Sequence, residues 1–396
     1  MTTGFLAVTS SPIVARSRAL IGALRAALSR SVAQAPLTVV LMVALVALTT
    51  RPAAAQCPGD VTGNGVVDGA DLGALLTTWG APKGQGDLNG DGMVDGADLG
   101  LLLTKWGPCI TVPSWATLIE AQPDPAVVWD EGLRAAITAT GFAWRVKDTA
   151  TQMEMLLIPP GSFQMGCSAS QSSSCGPNEN PVHAVTLTNA FYLGRYEVTQ
   201  AQWQARMGSN PSYWQSPSSD VPADQVPNRP VEQVSWDMIA GAGGFMAQTG
   251  MRLPTEAEWE YAYRAGTTTA YHGFTGYLNG TNDDALVGNI AWYYQGSCSL
   301  GAACQTRPVG GKAGNGFGLH DMAGNVWEWV NDWYGDYSAE PQVNPQGHPT
   351  GQYGPYRVFR GGSWNYSTYS LRASSRGYGS PDSAGYDVGC RAARSP

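Results

Sequence analysis

Residues 315–335, NGFGLHDMAGNVWEWVNDWYG, restrict the fold more than any other stretch of this chain. A glycine turn leads straight into an alternating run in which Trp327 and Trp329 flank Glu328. Alternation of that kind buries part of the segment, and a carboxylate taken inside needs a compensating partner. Asp321 and Glu328, together with the carbonyls of Gly324 and Val326, are therefore expected to converge on a structural Ca²⁺, a hard cation that takes oxygen ligands. A hydrogen-bonded turn without metal is the alternative. His320 stands beside them alone, and one histidine makes a poor transition-metal site.

Composition supports a chain built from turns. Only 14% of the 396 residues are charged, while there are 49 glycines, 14 tryptophans and 17 tyrosines. Long helices favour straight-chain and charged residues, so these numbers predict irregular loops pinned by aromatics. The net charge of −8 argues against a nucleic-acid partner, which needs a basic surface.

The N-terminal 55 residues carry Arg16, Arg18, Arg25 and Arg30, then APLTVVLMVALVAL, then RPAAAQ with a small-residue cleavage position after Ala55. Residues 1–55 read as a signal peptide, which implies a secreted, cell-surface or periplasmic protein with no membrane span after cleavage. A retained anchor is the rival reading, although the apolar run is shorter than the roughly 20 residues a span needs. All seven cysteines follow this segment, where an oxidising compartment permits disulfides. Proximity suggests Cys57 with Cys109, Cys167 with Cys175, and Cys298 with Cys304, leaving Cys390 as a lone core cysteine.

Residues 60–80, DVTGNGVVDGADLGALLTTWG, return 27 positions later as DLNGDGMVDGADLGLLLTKWG. In the second copy Asp87, Asn89, Asp91, the Met93 carbonyl, Asp95 and Asp98 occupy the spacing of an EF-hand-like loop, with Gly92 at its sharp turn. In the first, Asp60, Thr62, Asn64, the Val66 carbonyl, Asp68 and Asp71 do so with less charge. Both loops are expected to bind calcium and to run into apolar helices that pack on each other. The pair resembles dockerin-type repeats over residues 56–109, which implies attachment to a cohesin-like or cell-surface protein.

Residues 110–151 read as a linker with one short helix. Beyond it, MEMLLIPPGSFQMG and VHAVTLTNAFYLGRYEVT alternate as strands. Thr199 with Gln202, and Thr255 with Glu258, have capping-box spacing, and a third short helix starts at Ser235. Gly266 marks the stop of the helix opened by Thr255, whose Trp259, Tyr261 and Tyr263 read as packing residues.

Over residues 152–395 the segments IPPGSFQMG, RPVEQVSWDMI, GMRLPTEAEWEYAYRAG, GFGLHDMAGNVWEW, RVFRGGSW and DVGCRAARS resemble the formylglycine-generating enzyme family, also called sulfatase-modifying factors. The resemblance implies an α+β fold related to C-type lectins, with much irregular chain, beside a small all-α calcium-binding domain formed by the repeats. It also implies oxidation of a sulfatase cysteine by O₂ at a copper held by two cysteines shortly after RGGS. Those positions hold Tyr366 and Leu371, so no catalytic residue is assigned, copper is not expected, and a noncatalytic protein- or glycan-recognition domain, a pseudoenzyme, is the leading reading. An oxidoreductase with a non-thiolate metal site is the alternative. The recognition surface is expected at Asn325, Ser363, Trp364, Asn365, Tyr366, Tyr369, Tyr378 and Tyr386, a mixture of rigid aromatic and adaptable polar groups.

Overall fold

The computed structural model describes residues 57–171, 175–294 and 304–396. The signal-peptide segment and Cys298 lie outside the described residues. Among these residues no helix is long and apolar enough to cross a membrane.

The two repeats each form a short hairpin of loop and helix. Strand β1 (Val66–Val67) and helix α1 (Gly69–Thr77) belong to the first copy, helix α2 (Gly96–Thr104) and strand β2 (Gly107–Pro108) to the second. Asp68 and Asp95 cap the helices, and Asp71 and Asp98 close reciprocal capping boxes, so the same aspartates that suggested an ion also satisfy free helix N–H groups. Val67, Leu75, Val94 and Leu102 bury completely between the copies, and the Cys57–Cys109 disulfide joins their ends.

The segment read as a linker supplies strand β3 (Ala116–Glu120), helix α3 (Glu131–Ala139) and strand β4 (Arg145–Asp148). They join β5 (Glu154–Ile158), β8 (Phe191–Gly194) and β16 (Ala393–Arg394) in a five-stranded antiparallel sheet ordered β16-β8-β5-β4-β3. Strand β5 is central, and Met155, Leu156, Leu157 and Ile158 are all buried, as a run covered on both faces must be. Strands β6 (Gly161–Met165), β7 (His183–Leu187) and β12 (Gln342–Val343) form a second sheet; in β7 only His183, Val185 and Leu187 are buried, the period-two pattern of a one-sided strand.

Helix α4 (Gln200–Met207) starts at the Thr199–Gln202 box and stops at Gly208, φ 80°. The helix expected from Ser235 is two: α5 (Trp236–Ala240) and α6 (Phe245–Thr249). At Gly241 a side chain would meet the Asp237 carbonyl at 2.4 Å, so the glycines permit a break where the chain folds back on itself. Helix α7 (Glu256–Arg264) carries the Thr255–Glu258 box, and it ends one residue early, at Ala265 in the left-handed region. Trp259 and Tyr263 are buried in the main core.

Two short strands, β9 (Ala291–Trp292) and β10 (Ala323–Gly324), pair in parallel. They precede β11 (Trp327–Trp333), the strand expected from the tryptophan alternation, which lies between β13 (Arg357–Arg360) and β15 (Val388–Cys390), with β14 (Arg376–Gly379) at the edge. The result is an α+β fold of small irregular sheets. Cys390 is free and buried in the core.

Candidate functional site

Strand β6 ends at Met165, and Gly166, with a φ of 101°, turns the chain into Cys167. The Cys167 N–H donates to the Glu179 carbonyl at 2.9 Å, closing residues 167–179 into a loop. Cys175 returns to Cys167 as a disulfide with Cα atoms 6.0 Å apart. Cys304 is also disulfide-bonded. Ligand atoms of Cys167, Cys175 and Glu179 all lie within 4.8 Å of one another, and this is the one group of three or more His, Cys, Asp and Glu side chains so placed among the described residues.

Glu179 is held firmly. Arg372 donates to both of its oxygens, at 2.8 and 2.6 Å, the Ser374 hydroxyl donates at 2.5 Å, and the Gly176 N–H at 2.9 Å. Burial favours the neutral acid, but Arg372 and Ser374 outweigh it and hold the carboxyl below its ordinary value. Arg372 also donates to the Tyr369 carbonyl and lies 4.2 Å from the centre of its ring. The sulfur loop is thus bolted to residues 369–374, the stretch that follows RGGS. Tyr366 and Leu371 occupy the positions where family resemblance implies sulfur, and the sulfur pair comes from a different segment, tied through Glu179 to Arg372 and Ser374.

That pair overturns the expectation, drawn from Tyr366 and Leu371, that the domain lacks paired metal-binding cysteines. With it go the readings that rested on their absence: a noncatalytic pseudoenzyme, a redox centre without thiolates, and a chain in which copper is not expected. Paired thiolates suit Cu(I), since both are soft. The fit belongs to the reduced pair, because joined sulfurs are not thiolates. Glu179 was missed in the sequence; its only signal was a carboxylate four residues after Cys175.

Calcium as the cofactor is corrected as well, because most of the expected carboxylates accept hydrogen bonds from the protein, although one oxygen each of Asp87 and Asp321 is buried without a partner among the described residues. Glu328 meets Arg391, which donates at 2.6 Å, and the Trp259 indole N–H, which donates at 2.7 Å. Asp321 accepts the Gly310 N–H at 2.6 Å, and burial pushes its carboxyl up to about 6. Gly324 donates its N–H to Gly361, and the chain at Val326 is fixed through its N–H to Glu197. In the repeats Asp60 accepts from the backbone of Asn64 and Gly65, Asn64 from Val66, and Asp71 from Thr62 and Asp68. Asp87 accepts from Gly92, Asn89 from Asp91, Asp91 from Met93, and Asp98 from Leu88, Asn89 and Asp95. These loops close on hydrogen bonds from backbone N–H groups to the aspartate and asparagine oxygens.

The expected recognition residues divide. Asn325 and Ser363 are fully buried; the Asn325 amide donates to Glu197, and Ser363 donates to Asp387 at 3.1 Å. Trp364 is buried beneath exposed Tyr386, ring centres 5.8 Å apart, and Tyr366 stands edge-on to Trp327 at 5.3 Å. Asn365 is exposed. Tyr369 belongs with Arg372 at the sulfur loop, whereas Tyr378 stacks on Tyr334 at 4.1 Å.

A fold of small irregular sheets, with the glycine turn entering β11 and RGGS leading to the sulfur loop, defines a sulfatase-modifying-factor domain. The sulfatase-modifying factor enzyme 1-like family matches residues 143–396, and the chain belongs to that family. It is 30% identical over 313 residues to the formylglycine-generating enzyme of Streptomyces coelicolor, covering 65% of this chain and 94% of that one. It is 31% identical over 266 residues to the serine/threonine-protein kinase pkn1 of Chlamydia caviae, a match that spans 63% of this chain but 39% of the kinase. Among solved structures, Treponema denticola variable protein 1 is similar at 30% identity and a TM-score of 0.52, covering 62% of this chain and 95% of that one.

Proposed function

We propose that this chain is an oxidoreductase of the sulfatase-modifying-factor family, with reduced Cys167 and Cys175 as the ligands of a copper ion. The observation that carries the reading is the approach of both sulfurs and the Glu179 carboxylate to within 4.8 Å. Bound copper would supply one-electron chemistry with O₂ toward a substrate thiol. The chain's own part is to hold and orient. Arg372 keeps Glu179 ionised and fixed, and the Cys167 N–H bond to the Glu179 carbonyl keeps the loop closed. Exposed Tyr369, over Arg372, offers an aromatic contact for a protein or glycan substrate beside that loop, and Tyr366, Tyr386 and Asn365 are further exposed contact groups. The test is to reduce the purified chain anaerobically, add Cu(I), and measure copper per chain and O₂ uptake with a thiol-bearing peptide. One copper per chain, lost in Cys167→Ser and Cys175→Ser along with aldehyde formation, supports the reading. Copper that stays substoichiometric, or survives both substitutions, ends it.

For residues 56–109 we propose a dockerin-like attachment module that docks on a cohesin-like or cell-surface protein, outside the cytoplasm. Support comes from duplicated, half-exposed apolar pairs on the two copies, Leu76 with Trp79 and Leu103 with Trp106. A relation of the large domain to C-type lectins belongs to the same proposal and draws on its small sheets and irregular chain. Binding to a purified cohesin-like protein that is unchanged by Trp79→Ala plus Trp106→Ala counts against the docking role.

A further inference from the structure

A second polar cluster lies where α7 begins and β11 ends. A cavity of about 220 Å³ is lined there by Asp332, Trp333, Tyr337, His183 and His348. Asp332 is 2% exposed. One of its oxygens accepts the Glu256 N–H at 2.8 Å, and the other accepts no hydrogen bond among the described residues. No basic side chain pairs with it there either, since the neighbouring cations are engaged elsewhere. Arg376 is spent on Glu256 at 2.7 Å, and Arg357 lies over the Trp333 ring and donates to the Asn331 carbonyl. Burial, reinforced by Glu256, pushes the Asp332 carboxyl well above its ordinary value. His183, also in the lining, gives its Nδ1–H to the Pro181 carbonyl at 3.1 Å, which assigns the acceptor lone pair to Nε2.

We propose that this cavity binds a primary ammonium group, with Asp332 as its counter-charge and His183 Nε2 as a second acceptor. Arg376 also lines the wall but is committed to Glu256, so the free Asp332 oxygen has no hydrogen-bonded cation of its own among the described residues. Leaving a buried carboxylate unpaired is costly, so a ligand that brings the missing charge gains most from the site. Trp333 and Tyr337 complete the wall, each with an arginine of the chain already over its ring, Arg357 at 3.4 Å and Arg376 at 3.9 Å. Helix capping accounts for one Asp332 oxygen, on the Glu256 N–H, while Thr255 takes the Glu258 N–H; the second Asp332 oxygen is left over. The volume limits the guest to a small amine or the end of a lysine side chain.

The probe is n-butylammonium, titrated calorimetrically into the full chain, with neutral butan-1-ol as the isostere. Saturable binding of the ammonium but not the alcohol, weakened at least tenfold in Asp332→Asn, is the expected result. Asparagine keeps an acceptor for the Glu256 N–H, so the variant stays folded, which circular dichroism verifies. Equal binding of the alcohol, equal binding by Asp332→Asn, or no ammonium binding at millimolar concentration overturns the proposal. Nα-acetyl-lysine amide distinguishes the sources: affinity matching butylammonium assigns a lysine side chain, and weaker affinity a free amine, each in support of an ammonium site.

Discussion

Arg391 and Glu328 meet inside the domain with both side chains at most 1% exposed, joined at 2.6 Å. The arginine is held further by the carbonyls of Gly194 and His320, so its planar fork ties three segments together. Cutting one partner strands the other charge in the core. Arg391→Met is expected to cost about 3–5 kcal/mol in urea denaturation, and adding Glu328→Gln should recover part of that loss. Additive effects of the two changes would contradict the pairing.

Glu179 gives the fold an acid-side limit. Its folded carboxyl titrates below the ordinary 4.5, so its stabilisation is complete above that value and is lost as pH falls through the lowered folded one. Glu179→Gln should therefore flatten the decline in melting temperature on the acid side of pH 4.5. An unchanged slope would show that other carboxylates set it.

Gly166 controls the approach to the sulfur pair. A Cβ there would lie 2.6 Å from the Glu179 carbonyl, and its φ of 101° disfavours any other residue. Gly166→Ala is expected to destabilise the chain by about 1–3 kcal/mol and to weaken copper uptake by the reduced protein, since the carbonyl that anchors Cys167 must move. Full copper occupancy in a stable variant would separate the turn from the site.

The Cys57–Cys109 bridge spans 52 residues and closes the small core of the repeats. Cys57→Ser with Cys109→Ser should destabilise that segment by about 4 kcal/mol, from the loop entropy the bridge removes. Hydrogen exchange resolves the effect: residues around Leu75 and Leu102 should lose protection while β5 keeps its own.

The sequence displayed whatever is settled within a few residues. Aspartates at Asp68 and Asp95 mark helix starts, capping boxes mark α4 and α7, and the tryptophan alternation marks β11. These features depend on local hydrogen bonds and a fixed side-chain period, so spacing alone reveals them. The fate of each carboxylate was another matter. Loop spacing suggested ions, whereas backbone N–H groups and Arg391 claimed most of the oxygens, and an arginine 63 positions away leaves no local sign. Glu179 and Arg372 lie 193 residues apart, and only the folded chain brings them beside the sulfur pair. The pattern of apolar and capping residues determined the elements, because their energetics are short-ranged; tertiary packing decided which charges meet, because burial makes an unpaired charge costly.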